Sequence, residues 1–373
     1  MEHNIISEMI YSCGIFNLSL GNIIMWIIGM TLIYLAIAKK FEPLLLLPIG
    51  FGIIIANLPF ADLMKPGEGL VWRFYHYGIQ WEVIPPLIFL GLGALTDFGP
   101  LLARPSLIFL GAGAQVGVYI TFFCAKLMGF SLDEAAAIGI IGGADGPTTI
   151  YITSKLAPHL LGSCAVAAYS YMALVPIIQP PVIKLFTTKA ERQIVMKKSR
   201  RVSTRERIMF PILATLVVIL LFPPSAPLMA MFMLGNLFRE SGVVERLSGA
   251  AQNELMNIVT IFLGVSVGAT MDAATFLRPQ SLMIFFLGAF AFASSTATGV
   301  IVAKIMNLFL KDKINPMIGA AGVSAVPMSA RVVHVMGQEE NKKNYLLMHA
   351  MGPNIAGVIG TIIAASIFIR VLK

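Results

Sequence analysis

The chain has 373 residues, 57% of them hydrophobic and only 12% charged, about half the roughly 25% charged share of a soluble domain. That composition excludes an ordinary water-facing globule and intrinsic disorder, and glycine (33) and proline (21) without a period exclude collagen-like chains. Net charge is +8, most of it in 184–207, where nine basic residues face only Glu191 and Glu206. Lacking interleaved aromatics and lying between apolar spans, this stretch reads as a cytoplasmic topology signal rather than a nucleic-acid site.

In chain order, apolar stretches fall near 22–38, 43–59, 82–96, 107–128, 134–153, 160–183, 208–222, 226–238, 253–270, 281–310, 314–336 and 345–371. A spanning helix needs about 20 residues to cross ~30 Å, so several qualify, whereas 226–238 and the glycine-rich 134–153 are too short or too broken. The expected fold is an all-α polytopic membrane protein with about ten to twelve embedded segments, some of them re-entrant hairpins. Glu2 and Glu8 stand where a basic n-region would be, so no cleavable signal peptide is expected. Cys13, Cys124 and Cys164 have no metal-like spacing and read as buried thiols.

The chain repeats itself. Gly93–Asp97 (GALTD) returns as Gly268–Asp272 (GATMD), Arg104-Pro105 as Arg278-Pro279, and Ala125–Met128 (AKLM) as Ala303–Met306 (AKIM). Gly142–Pro147 (GGADGP) then aligns with Gly322–Pro327 (GVSAVP), the offset rising from 174 at Arg104/Arg278 to 180 at Gly142/Gly322. Two related halves follow. They are inverted if 226–238 only dips into the membrane and returns, and parallel if it spans. Broken segments at matching positions favour inversion. The expected organisation is 1–60 N-terminal membrane segments, 82–185 first half, 186–207 basic cytoplasmic loop, 208–252 linking membrane segments, and 253–373 second half.

Asp145 is the outstanding residue. A carboxylate within hydrocarbon must face protein, water or an ion. Gly142, Gly143, Gly146 and Pro147 around it break the helix and free backbone carbonyls, while Thr148 and Thr149 offer hydroxyls, together an oxygen cage for a small hard cation. The plainer alternative is a helix-capping aspartate. Its counterpart, Asn315–Arg331, offers Asn315 and Ser324 and ends in a cation, Arg331, read either as a snorkelling interfacial side chain or as a fork for a carboxylate ligand. Tyr169 and Tyr171 fit an aromatic belt or a proton relay. Asp97, Asp272, Lys126 and Lys304 read as interface residues, His334 and His349 as ordinary ones. No phosphate-binding loop or haem or iron–sulfur pattern occurs, so neither ATP nor a redox centre is expected to drive the chain.

At GGADGPT (Gly142–Thr148), NPMIGAAGVSAVPMSAR (Asn315–Arg331) and ALTDFGPLLARP from Ala94, the chain resembles the integral membrane beta subunit of sodium-pumping biotin-dependent decarboxylases, the oxaloacetate, methylmalonyl-CoA and glutaconyl-CoA enzymes. The resemblance implies decarboxylation of carboxybiotin, proton consumption and Na⁺ export across a prokaryotic inner membrane. It implies a biotin carrier protein, a carboxyltransferase alpha subunit and a small membrane-anchoring gamma or delta subunit as partners, with homo-oligomerisation. It places Na⁺ on Asp145, Asn315, Ser324, Thr148 and Gly319, carboxybiotin on Arg331 and Asn354, and catalysis on Asp145, Arg331, Ser324 and Tyr171. The rivals are a Na⁺- or H⁺-coupled secondary transporter of an anionic solute and a non-catalytic membrane anchor.

Overall fold

A computed structural model describes residues 13–373; Glu2 and Glu8 lie outside the described residues. Among the described residues every regular element is helical. The helices that position the site are α1 (Leu20–Ala38), α2 (Pro43–Ala56), α3 (Ile84–Leu95), α4 (Ile108–Leu127), α5 (Leu132–Gly139), α6 (Gly146–Leu156), α7 (Leu161–Ala173), α8 (Val175–Phe186), α9 (Thr204–Leu221), α10 (Ala226–Ser241), α11 (Met256–Ala269), α12 (Pro279–Phe309), α13 (Met328–Glu340) and α14 (Leu347–Leu372).

Among the described residues, five helical stretches are long and apolar enough to cross a membrane: Leu20–Ala38, Pro105–Leu127, Glu245–Ala269, Pro279–Phe309 and Leu347–Leu372. Two bent pairs, Leu70–Gln80 with α3 (64°) and Pro158–Ala173 with α8 (70°), raise this to seven if each is one span. The second bend has a plain cause. Pro176 lacks an N–H, and its ring clashes with the carbonyl four residues back, so helix α7 stops at Ala173 and restarts beyond Leu174. Exposed Leu213, Leu216 and Leu220 on α9 match an apolar surround.

The sequence repeat reappears as a repeated contact. A Cβ on Gly52 would collide with the α11 main chain at the Val265 carbonyl, Gly268 and Ala269, and one on Gly268 with the Ile49 carbonyl. In the other half, Gly235 meets the Leu90 carbonyl and Gly93 the Phe232 carbonyl. Helix α2 thus packs parallel to α11, their C-terminal ends joined where the Asn57 amide donates to the Met271 carbonyl at 2.8 Å, just as α10 packs parallel to α3, where the Asn236 amide donates to the Thr96 carbonyl at 2.8 Å. Helices α4 and α12 instead run antiparallel: Gly113 abuts Val302 and Gly117 abuts Ser295. Only glycine permits the last approach, because the Ser295 main chain fills the space a Cβ would take. The stretch 226–238, expected as a possible dip and return, lies within one continuous helix, Ala226–Ser241.

Two hairpins fill the space between these helices. The first runs from α5 to α6. Ser131 and Glu134 form a capping box that starts α5. Glu134 Oε1 also lies 2.8 Å from His159 Nε2, just beyond α6, so both arms share one base. At the tip Ala144 is left-handed (φ 53°), after the tight turn Ile140–Gly143. The second hairpin runs from the tight helical segment Pro316–Gly322 to α13. Its arms are pinned where the Ser329 hydroxyl donates to the Ala320 carbonyl at 3.2 Å. The tips touch: the Ser324 N–H and hydroxyl both donate to the Gly143 carbonyl, at 2.8 and 2.7 Å.

Candidate functional site

Asp145 sits where the first hairpin turns back. It is the N-cap of α6: Oδ1 accepts from the Thr148 N–H at 3.1 Å, and its main-chain carbonyl accepts from the Thr149 hydroxyl at 2.8 Å. The carboxylate thus faces the positive end of the α6 dipole. Capping uses one oxygen only. Oδ2 is buried without a partner among the described residues, as are the Thr148 and Tyr169 hydroxyls. Such orphans are rare because desolvating an unpaired polar group costs about 1–3 kcal/mol and more for a charge. The cap and ion-site readings are therefore compatible on one side chain.

Tyr169, rather than Tyr171, lies beside this carboxylate. Its ring rests on Gly146, where a Cβ would stand 2.7 Å from the phenol oxygen. The Tyr171 hydroxyl instead donates to the Phe285 carbonyl, and its ring packs on Gly288. Along α6, Thr148, Tyr151 and Lys155 share a face by helical spacing. Lys155 Nζ lies 4.6 Å above the Tyr151 ring and 2.9 Å from Glu82 Oε2.

The opposite wall comes from the second hairpin and α14. Ser324 Oγ, bonded to Gly143, lies 3.3 Å from Thr361 Oγ1, which donates to Gln115 Oε1 at 3.2 Å. Gln115 and Thr361 are buried on α4 and α14. Sequence reasoning passed over both, although a glutamine inside an otherwise apolar span was a signal. Among the described residues no three His, Cys, Asp or Glu side chains cluster. One carboxylate amid neutral oxygens suits a single hard positive charge.

Three other residues singled out in the sequence are occupied elsewhere. Asn315 uses its whole amide: Nδ2 donates to the Arg192 and Ile194 carbonyls at 2.8 and 3.0 Å, while Oδ1 accepts from the Met317 N–H at 3.1 Å. Asn354 Nδ2 donates to the Ala321 and Val323 carbonyls at 3.1 and 2.6 Å, holding the second hairpin's backbone. Gly319 crosses Gly299 of α12 with each backbone occupying the other's Cβ space. Pro327 ends the irregular tip, and α13 begins at Met328, so Ser324 and Arg331 do not share one regular helix.

Arg331 is exposed and lines a groove of about 530 Å³ between α8 and α13, with Pro176, Pro180, Lys184, Met328, Val332 and Glu339. Neither Arg331 nor Lys184 has an ion-pair partner among the described residues. Asp97 and Asp272 take structural parts: Asp97 pairs with Arg207 at 3.2 Å, and Asp272 caps Thr275 at 3.0 Å. Lys304 contacts Glu191 at 3.2 Å.

The model of the Na⁺-transporting oxaloacetate decarboxylase beta subunit family matches residues 21–372. The chain is 53% identical to the methylmalonyl-CoA decarboxylase subunit beta of Propionigenium modestum, over 98% of each chain. It is 55% identical to the glutaconyl-CoA decarboxylase subunit beta of Acidaminococcus fermentans, over 96% of each. It is 51% identical to the oxaloacetate decarboxylase beta chain of Haemophilus ducreyi, over 96% of this chain and 97% of the other. With a match this long and this uniform, the chain belongs to the family of Na⁺-transporting oxaloacetate decarboxylase beta subunits.

Proposed function

We propose that this chain decarboxylates carboxybiotin presented by a biotin carrier protein and couples the reaction to Na⁺ export. The observation that carries the reading is the buried Asp145 oxygen without a partner, set where two hairpin tips meet. Na⁺ would take that oxygen with the Thr148 and Ser324 hydroxyls. Asn315 would anchor the second hairpin's base, Gly319 would let its arm close on α12, and Asn354 would fix the backbone of its tip. Sodium and a proton cannot both neutralise the same carboxylate, so occupancy by one favours release of the other.

Carboxybiotin would lie in the groove between α8 and α13, its carboxylate on the Arg331 fork and its bicyclic ring against Pro176, Pro180 and Met328. Decarboxylation breaks the N–C bond. The bonding electrons go to the ureido nitrogen, which takes up a proton, and CO₂ leaves. Withdrawal from water favours that loss. Tyr169 beside Asp145, or Tyr171 as first expected, would serve proton traffic. A carrier of anionic solutes is disfavoured, because every relative compared carries a decarboxylase name.

The antiparallel register of α4 and α12 supports inverted halves, since the hairpins that follow these helices then enter from opposite faces. The seven candidate spans and four hairpin arms together fit ten to twelve embedded segments. The second hairpin's base, with Asn315 on the 186–207 loop, would face the cytoplasm by the positive-inside rule. This is the side from which a carrier arrives. A carboxyltransferase alpha subunit, a gamma or delta anchor and further copies of this chain would complete the complex. The test is avidin-sensitive, Na⁺-dependent CO₂ release by the purified complex. Arg331→Ala should raise the KM for the carboxylated carrier at least tenfold, and an unchanged KM would remove Arg331 from the groove's function.

A further inference from the structure

The basic loop does not hang free. Its first part, Thr187–Ile194, is a strap drawn across the base of the second hairpin. The Arg192 guanidinium joins two helix ends: Nε donates to Glu340 Oε1, the last residue of α13, at 2.6 Å. One terminal nitrogen donates to the Thr187 carbonyl, just past the end of α8, at 2.7 Å. The Arg192 and Glu340 side chains are largely shielded, 13% and 16% exposed. The Arg192 carbonyl is held in turn by two buried amides, Asn315 at 2.8 Å and Asn344 at 3.1 Å. Lys304 of α12 closes the near side, on the Phe186 carbonyl at 3.3 Å and on Glu191 at 3.2 Å.

Helices α8 and α13 are the two walls of the Arg331 groove. The geometry points to Arg192 as a positioning residue for that groove: it sets the spacing of α8 and α13, and Asn315 acts on the reaction through Arg192 rather than by touching Na⁺. The inference rests on the groove being where carboxybiotin binds. An arginine is needed because a fixed, planar fork can serve two helix ends at once, which a point-charge lysine cannot reproduce. Both polar atoms of the Asn315 amide are engaged while it holds the strap. Its mutation therefore loosens the groove first.

The test uses the intact complex in proteoliposomes with Arg192→Met and, in case that variant does not assemble, Glu340→Gln, which keeps shape and removes the charge. Expected are a KM for the carboxylated carrier raised about tenfold and a Na⁺ activation constant within twofold of the parent. Arg192→Lys should recover only part of the loss. Spin labels at Leu185 and Gln338, with Cys13, Cys124 and Cys164 replaced, should show the α8–α13 distance broadened in Arg192→Met and in Asn315→Ala alike. An unchanged KM, a Na⁺ constant that moves in step with KM, or an unbroadened distance would overturn the inference. Lack of avidin-sensitive CO₂ release from the unmutated complex would count against the function instead, and the distance measurement, which needs no turnover, would still decide the role of Arg192.

Discussion

Replacing Ser324 with alanine tests the contact between the hairpin tips. The hydroxyl donates to the Gly143 carbonyl at 2.7 Å and lies 3.3 Å from Thr361 Oγ1. Its removal strands neither neighbour completely: Gly143 keeps the Ser324 N–H at 2.8 Å, and Thr361 keeps Gln115 and the Gly357 carbonyl at 3.2 and 2.9 Å. The loss is therefore about one net hydrogen bond, about 1–1.5 kcal/mol. If the tip must hold its place to bind Na⁺, the same energy appears as a rise of about five- to tenfold in the Na⁺ activation constant. Loss of a direct oxygen ligand would only increase it. The assay is Na⁺-dependent CO₂ release by the reconstituted complex, with thermal unfolding measured in parallel. A Na⁺ constant unchanged from the parent would refute a site between the tips.

Gly319→Ala should be far more damaging than its size suggests, because a methyl group there meets the Gly299 backbone of α12, and two main chains must part. Loss of assembled complex on size-exclusion chromatography is expected, whereas Gly249→Ala, in open space, should be silent. The strap should respond to acid. Burial alone would raise the Glu191 carboxyl, but hydrogen bonds from the Thr188 N–H and hydroxyl and the Lys304 ammonium outweigh it and hold the group below its ordinary value. A depressed carboxylate stabilises the fold above its ordinary titration range and loses that contribution as pH falls through the lowered value. Amide protection in Thr187–Ile194, taken relative to the intrinsic exchange rate at each pH, should thus stay high at neutral pH and fall only below about pH 4.5, and Glu191→Gln should abolish that dependence.

The membrane class, the broken segments at both motifs and the internal repeat were legible in the sequence, because composition and helix-breaking residues act locally. The burial of Asp145 at a helix start was legible for the same reason: a charge in an apolar run has few explanations. The partners of neutral polar residues were not. Asn315, Asn354 and Tyr171 look like site residues in one dimension, yet their hydrogen bonds go to main chains 123, 31 and 114 positions away. Only the tertiary fold sets such pairings. Tyr169, two residues from the tyrosine first preferred, is turned toward Gly146 by helical rotation that the bend before Pro176 makes hard to phase. Arg192 was hidden within a run of basic residues whose topological explanation is sufficient by itself.

The most direct measurement of the central claim is Na⁺ dependence in Asp145→Asn. The amide keeps the side chain's size and can still accept the Thr148 N–H at the α6 cap, so assembly should survive. It removes the charge that a cation and a proton are held to exchange on. The account predicts an assembled complex that binds the carboxylated carrier but shows no Na⁺-stimulated decarboxylation and no Na⁺ uptake into inverted vesicles. Na⁺-stimulated turnover retained in Asp145→Asn would contradict it.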